Sequence, residues 1–343
     1  MTLRTSEEEN RVAVVGAGSW GTAVAIALAP RFERVTLWAR SEGVYLSLRD
    51  ERVNRVYLPE SPIPENVYPT MDLEEAVKGA AIVLFAVPTQ YTRGVAREAG
   101  RFMKKGQIAV SLSKGIENET LLTVSRILAE ELPAEVGGDI SVLSGPTFAK
   151  EVAQGKPAAA TIASKRRETA SYLIERLSTP VLRFYGDTDV IGVEVAGAVK
   201  NVIAIATGMA DGLGYGLNAR AAIITRGLAE IRRLGVALGA EKETFYGLSG
   251  MGDLILTCTG DLSRNRTFGR RVGQGEKPEE ILKSSRMVVE GVRTSLSVME
   301  LRERVGVEMP ISEQVYHILH EGKEPTRAVR DLLSRTLKME KEE

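Results

Sequence analysis

Apolar positions along the chain fall into two regimes. Up to about residue 189, short apolar runs alternate with longer segments of helical character. Strand-type runs cover 11–15, 34–39, 80–87, 107–112 and 140–143, and 158–163 and 181–185 complete the set. Helical segments between them include 22–29, 95–104 and 121–132. Near-continuous apolar strands separated by helices predict a mostly parallel sheet covered on both faces. After residue 189 the strand signal stops, and 191–210, 218–238, 263–274, 292–304, 311–321 and 327–337 read as helices. The expected architecture is α/β plus all-α: a doubly wound sheet over 11–189, a helical domain over 190–343, and an N-terminal extension over 1–10.

The first strand stops at Gly16-Ala-Gly-Ser-Trp-Gly21, and a helical run follows. In that context the glycines have mechanical roles. Gly16 makes the tight turn, Gly18 lets backbone approach a pyrophosphate, and Gly21 allows close helix–strand packing. The free N–H groups of the helix then face the phosphates. This predicts a Rossmann-type dinucleotide site. Where an acidic residue would hold the ribose hydroxyls, the second strand ends at Arg40. An arginine there accommodates a 2′-phosphate, so NADPH is expected beside NADH. Ligands in such sheets bind beyond the carboxyl ends of the strands. Those ends carry Pro88, Lys114 and Ser144-Gly145-Pro146.

Composition narrows the partners. With 45 basic and 45 acidic residues the net charge is zero, which argues against nucleic acid or an anionic membrane as partner. The single cysteine, Cys258, rules out a disulfide framework within the chain and reads as a small buried residue. Residues 1–10 are polar and acidic, without the apolar region of a signal peptide. No stretch reaches the ~18 uninterrupted apolar residues of a spanning helix. A cytoplasmic protein without membrane insertion is therefore expected. His317 and His320 stand three residues apart with no third ligand in view, so no metal is expected.

The run Val195 to Ala206 is almost wholly apolar but carries Lys200, followed by Asn201. A lysine there either snorkels from a helix end or is paired, deprotonated or put to work. Gly208 to Asn218 is glycine-dense, so a sharp bend is expected. Asp253 precedes an apolar helix and could be a simple N-cap. In Ser263-Arg-Asn-Arg266 two arginines fall in a first helical turn, against the helix dipole, and a bound anion would resolve that conflict.

These motifs together resemble the bacterial NAD(P)-dependent sn-glycerol-3-phosphate dehydrogenases from about Arg11 to about Glu321. The markers are Gly16 to Ala23, Lys114-Gly-Ile-Glu117, Ser144 to Glu151, Val199 to Ala204, Gly250 to Leu254, Thr257-Cys258, Ser263 to Arg266 and Val289-Glu-Gly291. The resemblance implies reversible reduction of dihydroxyacetone phosphate to sn-glycerol 3-phosphate, supplying glycerophospholipid synthesis. It implies a helical domain similar to the C-terminal domain of 6-phosphogluconate dehydrogenase, and a homodimer. By the family pattern Lys200 is the proton donor and acceptor. Lys114 binds substrate oxygen, Gly145 and Thr147 line the substrate site, and Asp253 holds Lys200 and the substrate. Ser263, Arg264 and Asn265 take the phosphate. Besides Gly16, Gly18 and Gly21, the cofactor contacts implied are Ser19, Trp20, Arg40, Lys114, Ala149, Arg264, Val288 and Glu290.

Ketone reduction needs an acid for the developing alkoxide, and no histidine lies in any motif. A free lysine is too weak an acid at neutral pH, so the Lys200 pKa is expected to fall. With Lys114 about 6 Å away, repulsion at an effective dielectric of about 20 is roughly 3 kcal/mol, or about two pKa units. Burial acts in the same direction and Asp253 opposes both. Two other readings are weaker. A 3-hydroxyacid or 6-phosphogluconate-type dehydrogenase would not need the Ser263 to Arg266 cluster, and a non-catalytic dinucleotide sensor would not need Lys200 and Asp253.

Overall fold

The structure is a computed structural model that describes residues 10–284, 288–337 and 339–340. The extension expected over 1–10 lies outside the described residues except for Asn10. That residue is tied to the body of the fold, because its side chain donates to Glu33 and its carbonyl accepts from Glu33 and Arg34.

The first part of the chain runs β1 (Arg11–Val15), α1 (Ser19–Leu28), β2 (Arg34–Trp38), α2 (Glu42–Asp50), β3 (Val53–Asn54), β4 (Leu58–Pro62), β5 (Val67–Thr70), α3 (Leu73–Val77), β6 (Ile82–Phe85), α4 (Thr89–Gly100), β7 (Ile108–Ser111), α5 (Val124–Glu131), α6 (Ala134–Gly137), β8 (Ser141–Ser144), α7 (Ala149–Ala153), β9 (Ala158–Ala163), α8 (Arg167–Leu177) and β10 (Leu182–Asp187). The rest is helical: α9 (Val190–Gly212), α10 (Gly216–Ala237), a π turn at Leu248–Gly252, α11 (Asp253–Thr259), α12 (Arg264–Gly273), α13 (Pro278–Ser284), α14 (Glu290–Val305), α15 (Pro310–Glu321) and α16 (Pro325–Leu333).

Eight strands form one sheet in the order β10-β9-β8-β7-β6-β1-β2-β5. Every neighbouring pair is parallel except β8 and β9, so the late pair β9–β10 completes the sheet with reversed direction. Successive side chains on the inner strands enter opposite cores. Val12, Val14, Leu37 and Leu84 pack on one face, and Ala13, Val15, Val83 and Phe85 on the other. Both faces are covered, which is why these strands read as continuous apolar runs.

Some elements depart from the sequence pattern. Helix α4 starts at Thr89 rather than near Val95, directly after Pro88. Its inner face begins with Thr89 and Thr92, and those polar residues hid the helical period. Helix α5 starts at Val124 rather than Leu121, because Leu121 has a left-handed φ of 59° and belongs to the preceding turn. The sharp bend expected over 208–218 is confined to Leu213–Tyr215. Gly208 instead serves a helix crossing. A Cβ there would lie 2.1 Å from the Arg266 carbonyl oxygen, and on the facing helix a Cβ at Gly269 would lie 2.1 Å from that of Ile205. The backbones of α9 and α12 touch because neither helix carries a side chain at the crossing.

Helix α9 is the axis of the helical part and packs against α10, α11, α12, α14 and α15. It is the one helix among the described residues long and apolar enough to cross a membrane, yet 89% of its most apolar window is buried inside the fold. It is apolar all round because other elements surround it.

Candidate active site

The turn after β1 has the geometry expected of the glycine motif. Gly16 has φ of 120°, and a Cβ there would meet the Ala86 carbonyl oxygen at 2.6 Å. Above Gly18 the space is open, with nothing within 4 Å of an added Cβ. Helix α1 has no side-chain cap and no acid in its first turn, so its leading N–H groups are available to an anion. The indole Nε1 of Trp20 is buried without an acceptor. A cradle with free amides and open backbone fits a pyrophosphate-bearing cofactor. Two residues that hold this loop gave no sequence signal. Asn54 donates to the Ala17 carbonyl and the Thr22 hydroxyl, each at 2.9 Å, and the Tyr57 carbonyl accepts from the Ser19 hydroxyl at 3.1 Å. The β3–β4 hairpin therefore braces the glycine loop. Arg40 is exposed beyond β2, with its guanidinium 5.6 Å from the Tyr91 ring centroid. Ala149 opens α7, which packs against α1, and Val288 is exposed beside the start of α14.

The carboxyl ends of β7 and β8 meet α9 and α11 around one carboxylate. Lys200 donates to Asp253 Oδ1 at 2.5 Å and to the Thr257 hydroxyl at 2.7 Å. Lys114 donates to Asp253 Oδ2 at 2.7 Å and to the Gly145 carbonyl at 3.0 Å. Asp253 is 1% exposed and Lys200 6%, so neither snorkels to solvent. The N-cap alternative for Asp253 does not hold, because it is the first helical residue and its carboxylate is spent on the two lysines. Thr257 completes the cluster, donating to the Asp253 carbonyl at 2.7 Å. Gly145 has no room for a side chain, since a Cβ would lie 2.7 Å from Ala160 Cα. The Thr147 hydroxyl donates to the Gly145 carbonyl at 3.2 Å.

Burial pushes the Lys200 ammonium down to about 8, Asp253 opposes this, and Lys114 adds to the fall. The expected direction is right, but desolvation outweighs the lysine–lysine repulsion. Cys258 is buried behind the cluster, and burial raises its thiol to about 12, which leaves it inert.

The Ser263 to Arg266 segment opens α12 as expected, but its parts divide differently. The Ser263 hydroxyl caps the helix by accepting from the Arg266 amide at 3.2 Å. Arg266 is bound to Asp211 and Asp261, so acids rather than an anion answer its conflict with the dipole. The Asn265 side chain donates to Asn201 Oδ1 at 2.9 Å and accepts from the Gly291 amide at 3.0 Å. Arg264 remains exposed within the cleft. Its surface is open to water, yet the surrounding walls are dense enough that desolvation lowers its proton affinity, with Glu290 opposing. Burial raises the Glu290 carboxyl to about 7, against the Thr89 amide and Arg264. The two histidines do not converge, since His317 bonds Glu321 and His320 bonds Ser295.

Residues 11–170 match the N-terminal family model and residues 189–330 the C-terminal family model of NAD-dependent glycerol-3-phosphate dehydrogenase. A glycerol-3-phosphate dehydrogenase [NAD(P)+] of Citrifermentans bemidjiense is 51% identical over 96% of this chain and 98% of its own length. One from a Geobacter species is 50% identical with the same coverage. The crystal structure of the Coxiella burnetii glycerol-3-phosphate dehydrogenase superposes with a TM-score of 0.91 at 39% identity, covering 96% of this chain and 100% of that one. An oxidoreductase cleft built on a dinucleotide-binding sheet thus coincides with two family models that together span most of the chain, and the chain belongs to the NAD-dependent glycerol-3-phosphate dehydrogenase family.

Proposed function

We propose that the chain catalyses the reversible NAD(P)H-dependent reduction of dihydroxyacetone phosphate to sn-glycerol 3-phosphate, with Lys200 as proton donor and acceptor. The observation that carries the reading is the pair of lysines sharing Asp253 at the carboxyl edge of the dinucleotide sheet. When bound, the nicotinamide supplies or accepts the hydride at the central carbon. Lys114 and Lys200 present positive charge to the ketone oxygen, and Lys200 Nζ hands that oxygen a proton as the alkoxide develops. With a pKa of about 8, Lys200 is mostly an ammonium at neutral pH and an amine in mild alkali, so one group serves both directions. Gly145 and Thr147 line the substrate side. Arg264, with the Ser263 hydroxyl and the leading amides of α12, takes the phosphate, and Asn265 contributes its backbone because its side chain is engaged. Ser19, Trp20, Arg40, Lys114, Ala149, Arg264, Val288 and Glu290 contact the cofactor, and Arg40 admits NADPH. The same reading gives a cytoplasmic homodimer serving glycerophospholipid synthesis. Its dinucleotide-binding domain spans 11–189, and its helical substrate domain spans 190–343.

The test follows oxidation of NADH and of NADPH by absorbance with dihydroxyacetone phosphate, for the wild type and Lys200→Met. Loss of the acid should lower turnover about 10²- to 10⁴-fold while cofactor affinity, titrated by fluorescence, stays near wild type. Retained turnover in the variant overturns the role of Lys200.

A further inference from the structure

Lys114 lies on a segment gripped from both halves of the molecule. Gln90, at the start of α4, donates to the Ile116 carbonyl at 2.8 Å and to Asn118 Oδ1 at 3.2 Å, and accepts from the Asn118 amide at 3.1 Å. From the helical half, the Ser297 hydroxyl of α14 reaches the same carbonyl at 3.1 Å and the same Oδ1 at 2.7 Å, sharing its one proton between them. Ser297 is 1% exposed, so this contact is closed to water. Between these bonds, Glu117 is anchored to Arg93 of α4 at 2.8 Å. None of Gln90, Asn118 and Ser297 bonds to Lys200, Asp253 or the Lys114 side chain.

We propose that Gln90, Asn118 and Ser297 form a clasp between the sheet and helical halves that sets how far Lys114 reaches toward Asp253. Asn118 and Ser297 then act as positioning residues for the reaction. The inference rests on the role proposed for Lys200. A lysine stem is flexible, so the reach of its Nζ depends on where its backbone is held. The clasp begins two residues after Lys114, and that side chain ends on the one carboxylate that Lys200 also uses. If the clasp loosens, Lys114 withdraws, Asp253 serves Lys200 alone, and the Lys200 ammonium becomes harder to deprotonate. Of the titratable groups facing Lys200, Asp253 and the neutral thiol of Cys258 lie on α11 and Lys114 on the β7 side. On α12 and α14, Arg264 and Glu290 answer each other, and Arg266 is held by Asp211 and Asp261. On α10, Glu230 is spent on α15.

Ser297→Ala and Asn118→Ala, made in the full chain, test this through KM and kcat for dihydroxyacetone phosphate against pH. NMR titration of the Lys200 ammonium in the cofactor-free protein provides a readout independent of activity. The clasp predicts a roughly fivefold rise in KM, from loss of about one hydrogen bond's worth of positioning. It also predicts an upward shift of about half a pH unit in the alkaline limb and in the titration. Ser297→Thr, which keeps the hydroxyl, should restore both. Lower thermal stability with an unmoved KM and an unmoved titration overturns the proposal and makes the contact structural only. Should Asn118→Ala fail to fold, Ser297→Ala decides alone, since it removes a single hydroxyl. A titration that moves while the kinetic limb stays fixed upholds the clasp and rejects Lys200 as the acid.

Discussion

One buried carboxylate between two lysines fixes the chemistry at the residue scale. Asp253 gives Lys200 a counter-charge without which burial and Lys114 would drive its proton affinity lower still. Asp253→Asn keeps the shape and removes that charge. Lys200 should then titrate below about 8, so the alkaline limb of the reduction reaction moves down and turnover at neutral pH falls. A pH profile of kcat/KM for the variant measures the shift, and a limb left where the wild type has it would contradict the role of Asp253. Lys200 could be singled out in the sequence because an ammonium inside an apolar helix demands a reason. Asp253 was ambiguous, since an acid before an apolar run is equally an N-cap. Its partners lie 139 and 53 residues away, and no local pattern encodes such pairings. Thr257 was visible only as a family marker, and Asn54 was invisible because its bonds reach back to Ala17 and Thr22.

At the scale of elements, the crossing of α9 and α12 ties the helix that carries Lys200 to the helix whose start carries Ser263, Arg264 and Asn265. Contact at the crossing is backbone to backbone, through Gly208 on one side and Gly269 on the other. Gly208→Ala forces the helices apart, because the Arg266 carbonyl oxygen cannot retreat as the end of a flexible side chain would. Overpacking of this kind costs about 1–3 kcal/mol, readable by urea unfolding. The displaced start of α12 should also raise KM for dihydroxyacetone phosphate more than KM for NADPH. Equal effects on both would mean that the crossing holds the fold without aiming the phosphate site. The glycine density of this segment was plain in the sequence, but its meaning was not. Glycine serves a bend and a close helix contact equally well, and only the partner helix decides. The start of α4 was hidden for a related reason, since its buried face begins with threonines that pack while reading as polar.

On the scale of the whole molecule, the inner strands were legible because burial on both sides makes them uniformly apolar, whereas the edge strand β5 was not, because Tyr68 and Pro69 stand outside the core between the buried Val67 and Thr70. The reversal at β9 was not legible either, since an apolar run carries no direction. Nor does sequence reveal which acids the packing of the two halves buries, and those acids set how stability depends on pH. Glu230 is 1% exposed and accepts from the Ile311 and Ser312 amides at the start of α15, yet burial still raises its carboxyl from 4.5 to about 7. Below pH 4.5 it is protonated in both the folded and unfolded chains. Between 4.5 and about 7 the unfolded chain has lost the proton and the folded chain still holds it, so the contribution of Glu230 to stability declines as pH rises. The full loss is about 3 kcal/mol. Burial raises Glu194 as well, so it adds in the same sense, whereas the arginine-paired Glu117 and Glu131 are lowered and act oppositely at more acid pH. Lys200, lowered from 10.5 to about 8, makes stability rise with pH only within that alkaline window. Glu230→Gln cannot ionise. It should cost part of the α15 cap at every pH, yet its deficit against the wild type should shrink between pH 5 and 7.5 in urea unfolding, because only in the wild type does ionisation of residue 230 favour the unfolded chain over that interval. A deficit that stays constant across the range would show that Glu230 is ionised in the fold throughout, held by the amides of α15.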